Sequence, residues 1–83
     1  MEISTKLVTL IPALSYIKTI TRDPESGYDT LSLDPTSKVS LEGFLRLLGS
    51  FDVDIIEKSR QKIVISVPKR QPFEEYILER YVV

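Results

Sequence analysis

Residues 28–49, YDTLSLDPTSKVSLEGFLRLLG, decide the reading of this chain. Tyr28–Asp34 alternates apolar and polar side chains, with Leu31 and Leu33 on one face and Thr30, Ser32 and Asp34 on the other, the period of a half-buried strand. Pro35 ends it. Ser40 is a good helix N-cap and Glu42 suits the positive end of the helix dipole. Leu41, Phe44, Leu45 and Leu48 recur at helical spacing, and Gly49 is placed to stop the helix. Gly43 interrupts this pattern at a cost of about 1 kcal/mol against Ala, which a close neighbour would explain.

Upstream, Tyr16–Arg22 is a second strand-like run, separated from the first by Asp23-Pro24-Glu25-Ser26-Gly27. Asp23 can bond the following backbone, Pro24 pre-sets φ and Gly27 accepts a positive φ, so the two runs form a β-hairpin. Residues 3–11 are rich in β-branched and apolar side chains and read as a further, N-terminal strand ended by Pro12. The competing reading uses Leu7, Leu10, Ile11 and Leu14 as one helical face, with Pro12 starting a helix. A winged-helix arrangement would follow from that second reading, with residues 53–67 as the wing.

Downstream the pattern repeats. Val53–Lys58 and Lys62–Val67 flank Ser59-Arg60-Gln61 as a second hairpin, and Pro72 opens a helix to Tyr81 with Phe73, Tyr76, Ile77 and Tyr81 as its apolar stripe. Leu41-Glu42-Gly43-Phe44-Leu45 matches Phe73-Glu74-Glu75-Tyr76-Ile77 in character except at the third position, and Leu31-Ser32-Leu33 matches Ile65-Ser66-Val67. The expected fold is α+β: an antiparallel sheet of two hairpins with two helices packed on it, in ββαββα order, residues 1–83 forming one domain. Residues 18–48 also resemble the opening hairpin and helix of ubiquitin-like β-grasp domains, over the front half of the chain only. Tyr81-Val82-Val83 stands where those modifiers carry Gly-Gly, so the resemblance implies no modifier activity.

Composition narrows function. The chain has 83 residues, 42% hydrophobic and 28% charged, an ordinary folded profile with a small core that association would help stabilise. It contains no Cys and no His, which removes thiol chemistry, Ser–His and Cys–His nucleophiles and zinc-finger ligation. Asp23, Glu25 and Asp29 alternate as calcium ligands would, but without a twelve-residue loop or its closing Glu they read as a turn. Asp52 with Asp54, and Glu74 with Glu75, lack the convergent setting of a catalytic pair. The expectation is therefore a non-enzyme with no cofactor and no metal. With no bilayer-length apolar run and no basic leader, it is read as cytoplasmic, with no membrane partner.

Two surfaces remain. The net charge of −1 gives no bulk attraction to nucleic acid, but Lys58, Arg60 and Lys62 cluster at the second hairpin's tip and Lys69 and Arg70 follow its outgoing strand. Basic side chains of this kind can contact phosphates, and Tyr16 or Tyr28 would add stacking if exposed on the sheet. The other surface is apolar: Leu47 beyond the helix stripe, Tyr81, Val82 and Val83, together with the strand edges, suit association with another copy or another protein. Association is the leading reading and nucleic-acid binding the alternative.

Overall fold

The computed structural model describes residues 2–81. Four strands, β1 (Ile17–Arg22), β2 (Asp29–Leu33), β3 (Asp54–Lys58) and β4 (Lys62–Ser66), form one antiparallel sheet in the order β1-β2-β4-β3. Helix α1 (Thr5–Leu10) precedes β1, α2 (Leu41–Ser50) follows β2 and α3 (Phe73–Tyr81) follows β4. The ββαββα order and the α+β class expected from the sequence are both present.

The sheet buries one face. Leu31 and Leu33 of β2 and Ile63 and Ile65 of β4 are buried, whereas Thr30, Ser32, Val64 and Ser66 between them are only half-covered. Phe44 and Leu48 from α2, and Phe73, Tyr76 and Ile77 from α3, join those strand residues in one apolar cluster. Burial of this continuous apolar surface is the main stabilising term, as in any small domain.

The two halves are related by more than composition. Placing Leu31-Ser32-Leu33 on Ile65-Ser66-Val67 also places Thr30 on Val64, and those two residues are direct partners in the β2–β4 ladder. An approximate two-fold axis thus passes through the Thr30–Val64 pair and exchanges the ββα units. The same superposition puts buried Asp29 on buried Ile63.

The N-terminal segment is not a strand. Residues 5–10 are helical, Pro12–Tyr16 form a 3-10 turn with the proline at its start, and the only ladder contact described there is a single bridge from Glu2 to Thr19. Burial decides it: Leu7 and Leu14 are fully buried on one side of this segment, a spacing that a pleated strand would place on opposite faces. The helical segment does not make a winged helix, because β4 pairs with β2 and the second hairpin is integral to the sheet.

Local signals hold with one exception. The Ser40 hydroxyl accepts the Gly43 N–H at 3.0 Å, so the expected N-cap forms. Gly49, however, lies inside α2, which runs to Ser50; Asp52 takes the left-handed conformation beyond it, at φ 60°. Extending the helix seats Phe51 in the core, against Phe73 and Tyr81. Packing there outweighs the local preference for glycine at a helix stop.

Candidate association edge and basic turns

The sheet has two outer edges, and they differ. On β1, Glu2 bridges to Thr19 and occupies part of the edge. Among the described residues β3 is paired on its β4 side alone, and every residue from Asp54 to Lys58 is exposed. Ile55 is 36% exposed although its partner across the ladder, Ile65, is fully buried, and Ile56 is 51% exposed. Ile56 has no partner of its own: Ile55 pairs with Ile65 and Glu57 with Val64, leaving it as the extra residue of a β-bulge. Apolar side chains on an open edge strand are a template for another chain.

Charge is distributed unevenly along this edge. Asp52 and Asp54 stand at its start, and Lys58 and Arg60 at its end, all exposed. Among the described residues none of these four takes part in an ion pair; Glu57 reaches Lys62 at 3.9 Å. By its sequence alone Val53–Lys58 is an ordinary hairpin arm. The signal that it is an outer strand was present in the charges Asp54, Glu57 and Lys58 surrounding two isoleucines.

The basic residues do not converge. Lys58, Arg60 and Lys62 surround the β3–β4 turn, whose Ser59 N–H donates to the Lys62 carbonyl at 2.9 Å. Lys69 and Arg70 lie beyond the other end of β4, a separation of roughly 15–20 Å at about 3.3 Å rise per residue. The cross-strand row Thr19–Ser32–Lys62 instead brings Lys18 of β1 to the hairpin end, a neighbour that linear spacing conceals.

Lys69 and Arg70 belong to a structural clasp. Both adopt left-handed backbone, at φ 59° and 53°. The Arg70 carbonyl accepts a hydrogen bond from Arg22 Nη2, whose Nη1 lies 3.7 Å from Asp29 Oδ1. Asp29, 1% exposed, accepts the Phe73 N–H at 3.0 Å through Oδ2, capping the start of α3. Burial pushes its carboxyl above the ordinary range, against the opposing pull of the Phe73 N–H and Arg22. The Arg70 side chain packs over Gly27, where a Cβ would fall 3.0 Å from Arg70 Cδ.

The carboxylates read as calcium-like are separated in role. Asp23 Oδ1 accepts the Glu25 N–H at 2.9 Å and its Oδ2 accepts the Ser26 hydroxyl at 3.0 Å, while Asp29 turns inward to α3. Tyr16 is buried edge-to-face on Phe44, with centroids 5.2 Å apart, so it offers no stacking platform; Tyr28 is half-buried. Leu47 packs half-buried against the core. Tyr81 is 39% exposed, its ring 4.9 Å from Phe51 and its hydroxyl donating to the Ser50 carbonyl at 3.3 Å. Val82 and Val83 lie outside the described residues. No described helix is long and apolar enough to cross a membrane.

No protein-family model, curated protein or solved structure matches this chain.

Proposed function

We propose that this chain is a non-catalytic association module that recruits a polypeptide along the outer edge of β3. The observation carrying this reading is the exposure of Ile55 and Ile56 on a strand whose outer side is unpaired in the described chain. Strand addition would use the free backbone groups for affinity and the two isoleucines for apolar burial. The expected partner is therefore a protein segment able to run beside β3. Leu47 packs against the core and Tyr81 against Phe51, so neither carries this reading.

A photo-crosslinking amino acid in place of Ile56, introduced in cells that naturally make the protein, tests this directly. Adducts should form at that position and not from the same group in place of Arg46, on the exposed side of α2. No adduct at position 56 would overturn the reading.

Nucleic-acid binding through the hairpin end is the second reading, favoured by Lys18 joining Lys58, Arg60 and Lys62 at that end of the sheet. Its footprint excludes Lys69 and Arg70. Affinity for single- or double-stranded probes should then fall steeply with salt and on combined Lys58→Ala and Arg60→Ala substitution, and be indifferent to Lys69→Ala.

A further inference from the structure

The charge order along β3 identifies what would run beside it. We propose that the occupant of this edge is a second copy of the same chain, its β3 antiparallel to the first. The inference rests on the association reading above and names its partner.

The edge is self-complementary. Read in chain direction, exposed Asp52 precedes the edge and exposed Asp54 begins it, Ile55 and Ile56 stand exposed at its middle, Glu57 follows with its charge offset by Lys62 at 3.9 Å, and exposed Lys58 and, just beyond the strand, Arg60 make its end basic. Two such edges laid antiparallel put the acidic start of each against the basic end of the other, with the isoleucines meeting at the centre. A parallel arrangement would set like charges side by side. The antiparallel one is a closed two-fold contact, in which the same patch serves both copies and no β3 edge remains to recruit a third. It would join two four-stranded sheets into one. The β1 edge, partly occupied by Glu2, has no such charge order.

The bulge at Ile56 bears on how the pair is held. It interrupts regular backbone in the middle of a short strand, so the ladder is limited to the residues on either side. The apolar centre and the two charge clusters then supply much of the contact. That combination gives a modest, salt-sensitive affinity and discriminates against strands lacking the charge pattern.

Sedimentation velocity over a concentration series, in low salt, tests the proposal with three proteins. The wild-type chain should pass from monomer to dimer. The D52K/D54K variant and the K58E/R60E variant should each lose self-association by at least tenfold, since each then presents one sign of charge at both ends of β3. Mixed in equal amounts, they should form a one-to-one dimer, because an edge basic at both ends, with Glu57 offset by Lys62, now fits one acidic at both ends. All four substituted side chains are exposed, and circular dichroism checks that both variants stay folded. A wild-type chain that stays monomeric throughout overturns the proposal, as does a mixture that gains nothing over its components. The crosslinking at position 56 separates the two levels of argument: an adduct of two identical chains supports this inference, an adduct with a different protein overturns it while leaving the association reading standing, and no adduct removes both.

Discussion

The Asp29 carboxylate accepts the Phe73 backbone N–H at 3.0 Å, tying the first residue of β2 to the first of α3 across the interior. Its other oxygen faces Arg22 at 3.7 Å, and the Arg22 guanidinium also reaches the Arg70 carbonyl. A single buried side chain therefore joins the first hairpin, the turn after β4 and the last helix.

Removing that acceptor should be costly. Asp29→Ala leaves a buried N–H without a partner and should destabilise the fold by about 1–3 kcal/mol. Asp29→Asn keeps an oxygen for Phe73 and should cost less. Urea denaturation of both variants measures the order; an alanine variant as stable as wild type would contradict it.

The pH dependence has a definite sign. Burial raises the Asp29 carboxyl in the folded chain, whereas in the unfolded chain it titrates near its usual value of about 3.9. Between those two values the folded chain holds a proton that the unfolded chain has released, so this group's contribution to stability falls as pH rises across the window and is constant above it. Asp23 and Asp34 act oppositely. Hydrogen bonds with Glu25 and Ser26, and with Thr36, lower their carboxyls, so both add stability above the ordinary value and lose it as pH falls through their folded values. Wild type should accordingly gain on Asp29→Asn as acidification proceeds into the window just above 3.9. Stability curves for the two proteins that stay parallel from pH 7 to pH 4 would refute this.

Gly43 is explained by the cap, not by a packed neighbour. The position is exposed, and a Cβ there would meet only the Ser40 hydroxyl, at 3.1 Å. Ser40→Ala should cost about 1 kcal/mol through the lost cap. Gly43→Ala alone should give little net change, as helix propensity worth about 1 kcal/mol is offset by crowding of the cap. In the Ser40→Ala background the same substitution should stabilise. Thermal unfolding of the four proteins in this cycle reads the coupling, and simple additivity would disprove it.

Gly27 is constrained twice. Its φ is 76°, which an L side chain rarely adopts, and the space a Cβ would need is filled by Arg70. Gly27→Ala should destabilise by at least about 1 kcal/mol, because backbone strain and the displaced Arg70 side chain add. A stability unchanged within error in urea would show that the clasp is looser than its geometry.

Much of the fold was legible because its signals were local: Leu31 and Leu33 alternate, Leu41, Phe44, Leu45 and Leu48 recur at helical spacing, and Asp23 to Gly27 spell a turn. The N-terminal segment departs from its local signal because its threonines favour strand, whereas the burial of Leu7 and Leu14 on one side is set by the rest of the core. The helix stop moved past Gly49 for a similar reason, the packing of Phe51. The exposed edge was hidden from sequence because strand order is not a local property: Val53–Lys58 and Lys62–Val67 look alike until one is found at the centre of the sheet and the other outside. Lys18 near Lys62, and Asp29 beneath Phe73, are likewise relationships across the sheet that no linear spacing announces.

The Thr30–Val64 axis has a consequence for how the chain reaches this state. Each hairpin closes within its own stretch of sequence, whereas the seam between β2 and β4 joins strands separated by all of α2 and β3. Closing that loop carries the larger entropic cost, so the barrier to folding lies at the seam. Truncating Leu31 or Ile63 should then slow folding, and truncating Val53 in the second hairpin should chiefly hasten unfolding, a division that chevron plots resolve. On this account the two halves are kinetic units: each hairpin assembles early and by itself, and the protein becomes one object only when residues 29–32 and 62–65 meet.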